Sequence, residues 1–152
     1  MSYRIQLLIE LVQQAIQMVY ERQYYLIENK VHERSIVFWF GIYFNEIIKK
    51  SEFSEYNLDF EYNKNHSDPK RTDNFPQGTY PDIILHKRGT NKDNLLIMEF
   101  KTYWGDDTDK DLCKLKDFTN NSGKYNYELG LSIVLCKDKE RFTKIANGEI
   151  SE

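Results

Sequence analysis

The amino-acid sequence predicts an α/β chain of the α+β kind, a mixed sheet flanked by helices, and three observations carry that expectation. The chain opens with apolar residues at helical spacing, switches near Tyr56 to a period of two, and later returns to a helical stripe followed by an unbroken apolar run. In the first segment Ile5, Leu8, Leu11, Val12, Ala15, Ile16 and Val19 recur every three or four residues, predicting an amphipathic helix from about Tyr3 to Gln23. After the polar stretch Glu28-Asn29-Lys30, Val37, Phe40, Phe44, Ile47 and Ile48 repeat the stripe as far as Lys50. Aromatic residues crowd the other faces of this second helix, so burial on more than one side is expected. Leu58, Phe60 and Tyr62 then alternate with Asp59 and Glu61, the pattern of a half-buried strand.

Asn63 to Tyr80 has no hydrophobic period and holds two of the three Pro, a loop long enough to suggest function or mobility. PDIILHKRG and NLLIMEFK are apolar runs separated by the polar, Gly-containing Lys87–Asn94 stretch, so an antiparallel hairpin is expected. Asp107 or Thr108 is a plausible N-cap for a helix over Asp109–Thr119, with Leu112, Leu115 and Phe118 facing inward. Leu129–Cys136 reads as a buried strand, and Lys139–Ala146 as a short closing helix. No repeat or linker divides the chain, which predicts one domain over residues 1–152.

Composition narrows the function. A chain of 152 residues can bury roughly 68–70% of its unfolded surface, so the fold needs neither metal nor disulfide to hold. With 21 basic and 24 acidic residues the net charge is −3, which excludes a whole-molecule electrostatic clamp; any nucleic-acid contact must be local. The longest apolar run, Ile36 to Phe44, is broken by Gly41 and falls far short of the ~20 residues of a membrane span. The N-terminal stretch, interrupted by Glu10, Gln13 and Gln14, does not suit a secretory signal, so a cytoplasmic location is expected. Cys113 and Cys136 stand apart from any CxxC or His pair and read as reduced thiols. HExxH, GxGxxG and GxxxxGK[ST] are absent.

The chemically informative feature is Pro81-Asp82 followed seventeen residues later by Glu99-Phe100-Lys101. On a strand Glu99 and Lys101 share one face while Leu96, Met98 and Phe100 share the other. If Leu85 pairs with Leu96, Asp82 falls opposite Glu99, with Cβ atoms roughly 4.5–5.5 Å apart. Two carboxylates at that distance repel, and a divalent cation between them removes the conflict; Mg²⁺ takes such hard oxygens together with water and phosphate. Beside them, the Lys101 ammonium can orient water or stabilise a charged phosphoryl transition state. Phosphodiester hydrolysis is the reaction this set suits. The plainer alternative is a salt-bridged strand end at Glu99 and Lys101 with Asp82 as a turn residue.

These residues resemble the PD-(D/E)xK phosphodiesterase superfamily, with PD at Pro81-Asp82 and (D/E)xK at Glu99-Phe100-Lys101. The resemblance spans roughly His32 to Cys136 and implies a restriction-endonuclease-like αβββαβ core, here with an extra N-terminal helix. It also implies that Asp82, Glu99 and the Phe100 carbonyl bind Mg²⁺ or Mn²⁺ and that Asp82, Glu99 and Lys101 are the catalytic set. Many members add an acidic residue from the first core helix. Glu33 extends the apolar stripe of that helix by one turn and is the candidate, with helix-dipole stabilisation as the alternative. Asp111 and Lys114, in DLCKL, are similar to a D-x-x-K-L helix of some members, although an ordinary solvated ion pair one turn apart is the simpler reading.

Strand direction places Asp82, Glu99 and Lys101 at one end of the sheet, the end that the Asn63–Tyr80 and Thr102–Asp107 segments are expected to reach. Lys70, Arg71 and His66 are therefore expected near the metal, with Lys87, Arg88 and Lys92 remote at the hairpin tip. Lys70, Arg71 and Lys114 become candidate phosphate contacts, and Trp104, with Tyr80 and Tyr103, a candidate base-stacking surface. The expected function is metal-dependent hydrolysis of nucleic acid, DNA foremost, by a small nuclease. No helix-turn-helix, zinc finger or basic extension is visible, so specificity would come from nucleic-acid structure, a homodimer or a protein partner. The rivals are a nuclease-fold interaction protein without activity and a carboxylate-pair glycoside hydrolase, which would need neither Lys101 nor metal.

Overall fold

The computed structural model describes residues 1–151. Two helices, α1 (Tyr3–Arg22) and α3 (Glu33–Lys49), are linked by the short α2 (Tyr24–Glu28) and pack against one face of a six-stranded mixed sheet. Ser2 caps α1, its hydroxyl accepting from the Ile5 amide at 3.2 Å, and the His32 Nδ1 accepts from the Arg34 amide at the start of α3. The predicted stripes form the interface: Leu8, Val12, Ala15 and Ile16 of α1, and Phe40, Phe44 and Ile48 of α3, are buried in the main core.

The sheet comprises β1 (Asn57–Phe60), β4 (Ile83–His86), β5 (Leu96–Thr102), β6 (Leu129–Leu135), β7 (Glu140–Ala146) and β8 (Glu149–Ser151), in that spatial order. Two short strands, β2 (Lys64–Asn65) and β3 (Asp68–Pro69), form a separate hairpin within the long loop. Leu96, Met98 and Phe100 of β5, with Leu129, Leu131 and Ile133 of β6, face α1 and α3. The opposite face buries Ile84, Ile97 and Ile145 against Leu115 and Phe118 of α4 (Asp109–Thr119). This helix connects β5 to its parallel neighbour β6, as a parallel pair requires. Gly130 lets the helix approach: a Cβ there would lie 3.1 Å from Thr119 Cγ2 and 3.5 Å from Leu115 Cβ.

One predicted element is corrected. Lys139–Ala146 does not form a helix; Glu140–Ala146 is β7, antiparallel to β6 and hairpinned to β8. Asn147 and Gly148 both have positive φ, 52° and 77°, the conformation that the tightest hairpin turns demand. With that turn in place, alternation sends Ile145 into the α4 layer and Phe142 toward the main core. The Asn-Gly pair is the local signal that outweighs any helical reading of so short a segment. No described helix is long and apolar enough to cross a membrane.

Candidate functional site

β4 and β5 pair antiparallel with Leu85 opposite Leu96, Ile84 opposite Ile97 and Ile83 opposite Met98. Continued by one residue, this register sets Asp82 against Glu99. The contact at the end of the ladder is a side chain bonding to backbone: Phe100 N–H donates to Asp82 Oδ2 at 2.8 Å. The register continued one residue further would set Pro81 against Phe100, and Pro81 has no amide hydrogen to give the Phe100 carbonyl a ladder hydrogen bond.

Alternation along β5 turns Glu99 and Lys101 to the α4 face, where that helix meets both. Lys114 Nζ lies 2.9 Å from Glu99 Oε1 and 3.2 Å from the Tyr80 carbonyl; Lys101 Nζ lies 3.3 Å from Asp111 Oδ2. Asp111 and Lys114 therefore do not form the solvated pair expected of two residues one turn apart. Each instead binds across to the strand, and the two ion pairs span the α4–β5 gap. Glu99 is 2% exposed, and its Oε1 has an ammonium nearby without an aligned hydrogen bond.

Burial pushes the Glu99 carboxyl well above the ordinary carboxylate range, with Asp82 adding repulsion and Lys114 opposing. Glu33, at the first turn of α3, reaches the same end of the sheet. Burial raises its pKa too, with Lys101 pulling down and Asp82 pushing up. Asp111 is raised by burial against the attraction of Lys101. Lys101 loses solvation, but Asp111 and Glu33 outweigh that loss and hold its ammonium more firmly protonated than usual. Glu33, Asp82, Glu99 and Asp111 thus share only two ammonium groups, Lys101 and Lys114. Fully ionised, the cluster has two negative charges in excess, which a divalent cation would neutralise. The donor set, three or four carboxylates and a backbone carbonyl free of a ladder bond, has the hard-oxygen chemistry of Mg²⁺ or Mn²⁺. Among the described residues no three His, Cys, Asp or Glu side chains stand close enough to grip an ion as arranged, and Glu99 is paired with Lys114.

The candidate nucleic-acid contacts separate. Trp104 is half-buried, packs edge-on against Tyr103 at 4.9 Å and lines a shallow depression with Glu33 and Lys101. Lys114 lies inside the cluster. Lys70 and Arg71 do not reach it, which corrects the expectation that the long loop brings its cations to this end. Lys70 is 2% exposed, lying over the Tyr62 and Tyr125 rings at 4.9 and 5.4 Å and donating to the Lys64 carbonyl at 2.6 Å. Burial lowers its pKa to about 8. Arg71 exchanges backbone hydrogen bonds with the Tyr125 hydroxyl, and the Tyr125 carbonyl accepts from Asn94, just before β5. Asn65 binds Asn91 at the hairpin tip, placing the loop's first part at the remote end with Arg88. The cause is the loop's own chemistry: two tyrosines offer the Lys70 ammonium an aromatic box, and Thr72 and Asn74 are tied to Asp117 of α4.

Sequence reasoning also missed the cluster at that remote end. Asp59 accepts from His86 Nε2 at 2.7 Å and from Arg88 Nε at 2.9 Å. The cross-strand placement of Asn57 against His86 creates it, and no linear spacing reveals it. No protein-family model matches the chain, and neither the curated proteins nor the solved structures yield a match.

Proposed function

We propose that the chain is a metal-dependent phosphodiesterase acting on nucleic acid, with DNA as the first substrate to test, built on a restriction-endonuclease-like core. The observation that carries this reading is the meeting of Asp82, Glu99 and Lys101 with Glu33 at one sheet end, in a cluster with more carboxylates than ammonium groups. The order α3, β1, β4, β5, α4, β6, with β5 and β6 parallel, supports the same core. A cytoplasmic location fits that substrate.

Asp82, Glu99 and the Phe100 carbonyl would hold Mg²⁺ or Mn²⁺, with Glu33 as a further carboxylate of the set. The ion would supply charge neutralisation at the phosphoryl group and a more acidic bound water. Asp82 is oriented for its task by the Phe100 amide, which fixes one carboxylate oxygen and leaves the other free. Glu99, paired with Lys114 here, would have to part from it to serve as a ligand, which would leave that ammonium available to a phosphoryl oxygen. Lys101, kept protonated by Asp111 and Glu33, acts as an electrostatic and hydrogen-bond donor to the attacking or leaving oxygen, not as a base. Trp104 borders the depression beside Lys101 and offers a surface to the flanking nucleotide. A homodimer or a protein partner would supply specificity.

The test is incubation of the protein with single- and double-stranded DNA and with RNA, in Mg²⁺ or Mn²⁺ and then in EDTA. Asp82→Ala, Glu99→Ala and Lys101→Ala are run beside it. Cleavage that needs metal and is lost in each variant supports the reading. Intact substrates under every condition would favour an interaction protein that keeps the core without its chemistry.

A further inference from the structure

Beside the cluster, the start of α3 and the ends of β1 and β4 enclose a groove of ≈290 Å³ lined by His32, Glu33, Arg34, Phe38, Phe60 and Asp82, among others. Its two aromatic walls are unusually open: Phe38 is 52% exposed and Phe60 43%. Phe60 is nevertheless held in a prepared seat. Its ring lies against Gly41 of α3, where a Cβ would collide with several ring atoms. Glycine is unfavourable inside a helix, yet here it makes room for a ring that stays half in solvent. The core gains little from that arrangement, whereas a groove wall gains a fixed flat surface.

We propose that the groove between Phe38 and Phe60 receives one unpaired nucleobase of the strand whose phosphodiester lies at the Asp82–Glu99–Lys101 cluster. The inference rests on the phosphodiesterase reading and deepens it: the substrate carries an unpaired nucleotide at the cut, as in a single strand, a flap or a flipped base. Three features select a base. The volume is near the lower limit, about 300 Å³, of small-molecule pockets and is too small for a duplex. Two of the walls are exposed phenyl rings, a surface on which any base can stack. The polar lining is rich in carboxylates, Glu33, Asp82 and Glu61, with Arg34 engaged by Glu61 at 3.2 Å. Glu61, outside the metal set, can accept from an exocyclic amine, and Glu33 and Asp82 leave the phosphate to the ion, so the base enters and the backbone stays at the rim. Asp82 lines both groove and cluster, which makes the two continuous.

The wild-type protein is mixed, in EDTA, with a short single-stranded DNA, the matched duplex, the same strand with one abasic position moved along it, and the equivalent RNA. A fluorescent adenine analogue placed at each position reports stacking. Expected are tighter binding of the single strand than of the duplex and one position where the analogue is quenched and an abasic site weakens binding. Phe38→Ala and Phe60→Leu should each weaken single-strand binding about 5- to 150-fold, the range of one lost base stack. Gly41→Ala, which displaces the Phe60 ring without removing it, should act the same way. Single-strand affinity unchanged in all three variants, or equal affinity for duplex, overturns the groove assignment while leaving metal-dependent cleavage as a separate result. Absence of binding to every nucleic acid overturns the groove assignment, and the phosphodiesterase reading is then decided by the cleavage assay in Mg²⁺ or Mn²⁺. RNA bound as well as DNA keeps the base site and removes any sugar preference.

Discussion

Replacing Lys114 by Met removes the ammonium that faces Glu99 and keeps most of the side-chain volume. Glu99 is 2% exposed, and Lys114 is its ion-pair partner at 2.9 Å, so the variant leaves a buried carboxylate among Asp82 and Asp111. Removing one member of a buried pair costs about 3–5 kcal/mol when the other stays charged. For a chain of this size that corresponds to a fall in melting temperature of roughly 6–20 °C. Glu99 has an escape, because a proton neutralises it. Its pKa is already raised by burial and by Asp82, and loss of Lys114 raises it further. A carboxyl with a raised folded pKa binds more protons folded than unfolded between its unfolded and folded values. Stability therefore falls as pH rises through that window, by up to about 1.4 kcal/mol per pH unit. Thermal melts of Lys114→Met and wild type from pH 4.5 to 8.5 should show a deficit that is small at the acid end and grows toward neutrality. A deficit independent of pH, or none, would refute the reasoning that Lys114 compensates a buried Glu99 charge.

The distal cluster behaves in the opposite sense. Burial disfavours the Asp59 charge, but hydrogen bonds from Arg88 and His86 outweigh it and lower its pKa. Asp59→Asn should cost about 1–3 kcal/mol near neutral pH, and the difference from wild type should vanish as pH falls through the folded Asp59 pKa in acid-titrated denaturation curves. Lys70, lowered to about 8 by burial, binds fewer protons folded than unfolded above that pH. Wild-type stability should gain from this group as pH rises from about 8 toward 10, a gain absent in Lys70→Met, and nucleic-acid affinity should not change in that variant. Gly130→Val places atoms against Thr119, Leu115 and Ile145 and should lose about 1–3 kcal/mol in urea denaturation by forcing α4 off the sheet.

Which features were legible in the sequence follows from how local their causes are. The stripes of α1 and α3 and the apolar runs of β4 and β5 are set by burial on one or two faces, so local pattern found them. The pairing of Leu85 with Leu96, taken in the sequence only as a condition, is the observed register and, continued past Ile83, brings Asp82 to Glu99. The β7–β8 hairpin was missed because its turn signal, Asn147-Gly148, lies near the chain end with only a few residues beyond it. The long loop went astray for a different reason. Its cations were expected at the Asp82 end because the loop leads into that end of the sheet, but Lys70 is held between Tyr62 and Tyr125, a contact no linear pattern encodes. The crossed pairs Glu99–Lys114 and Lys101–Asp111 likewise depend on the crossover helix lying over β5. Helical spacing gave the proximity of Asp111 and Lys114 but not their partners.

The most direct measurement is a calorimetric titration of the protein with Mn²⁺, without nucleic acid, beside Asp82→Asn and Glu99→Gln. Expected is saturable binding with one principal site, lost or greatly weakened in both variants and tightened in Lys114→Met, which frees Glu99 from its internal cation. Absence of binding heat in wild type and Lys114→Met alike, or a site indifferent to Asp82 and Glu99, would contradict the assignment of this sheet end as a divalent-metal centre.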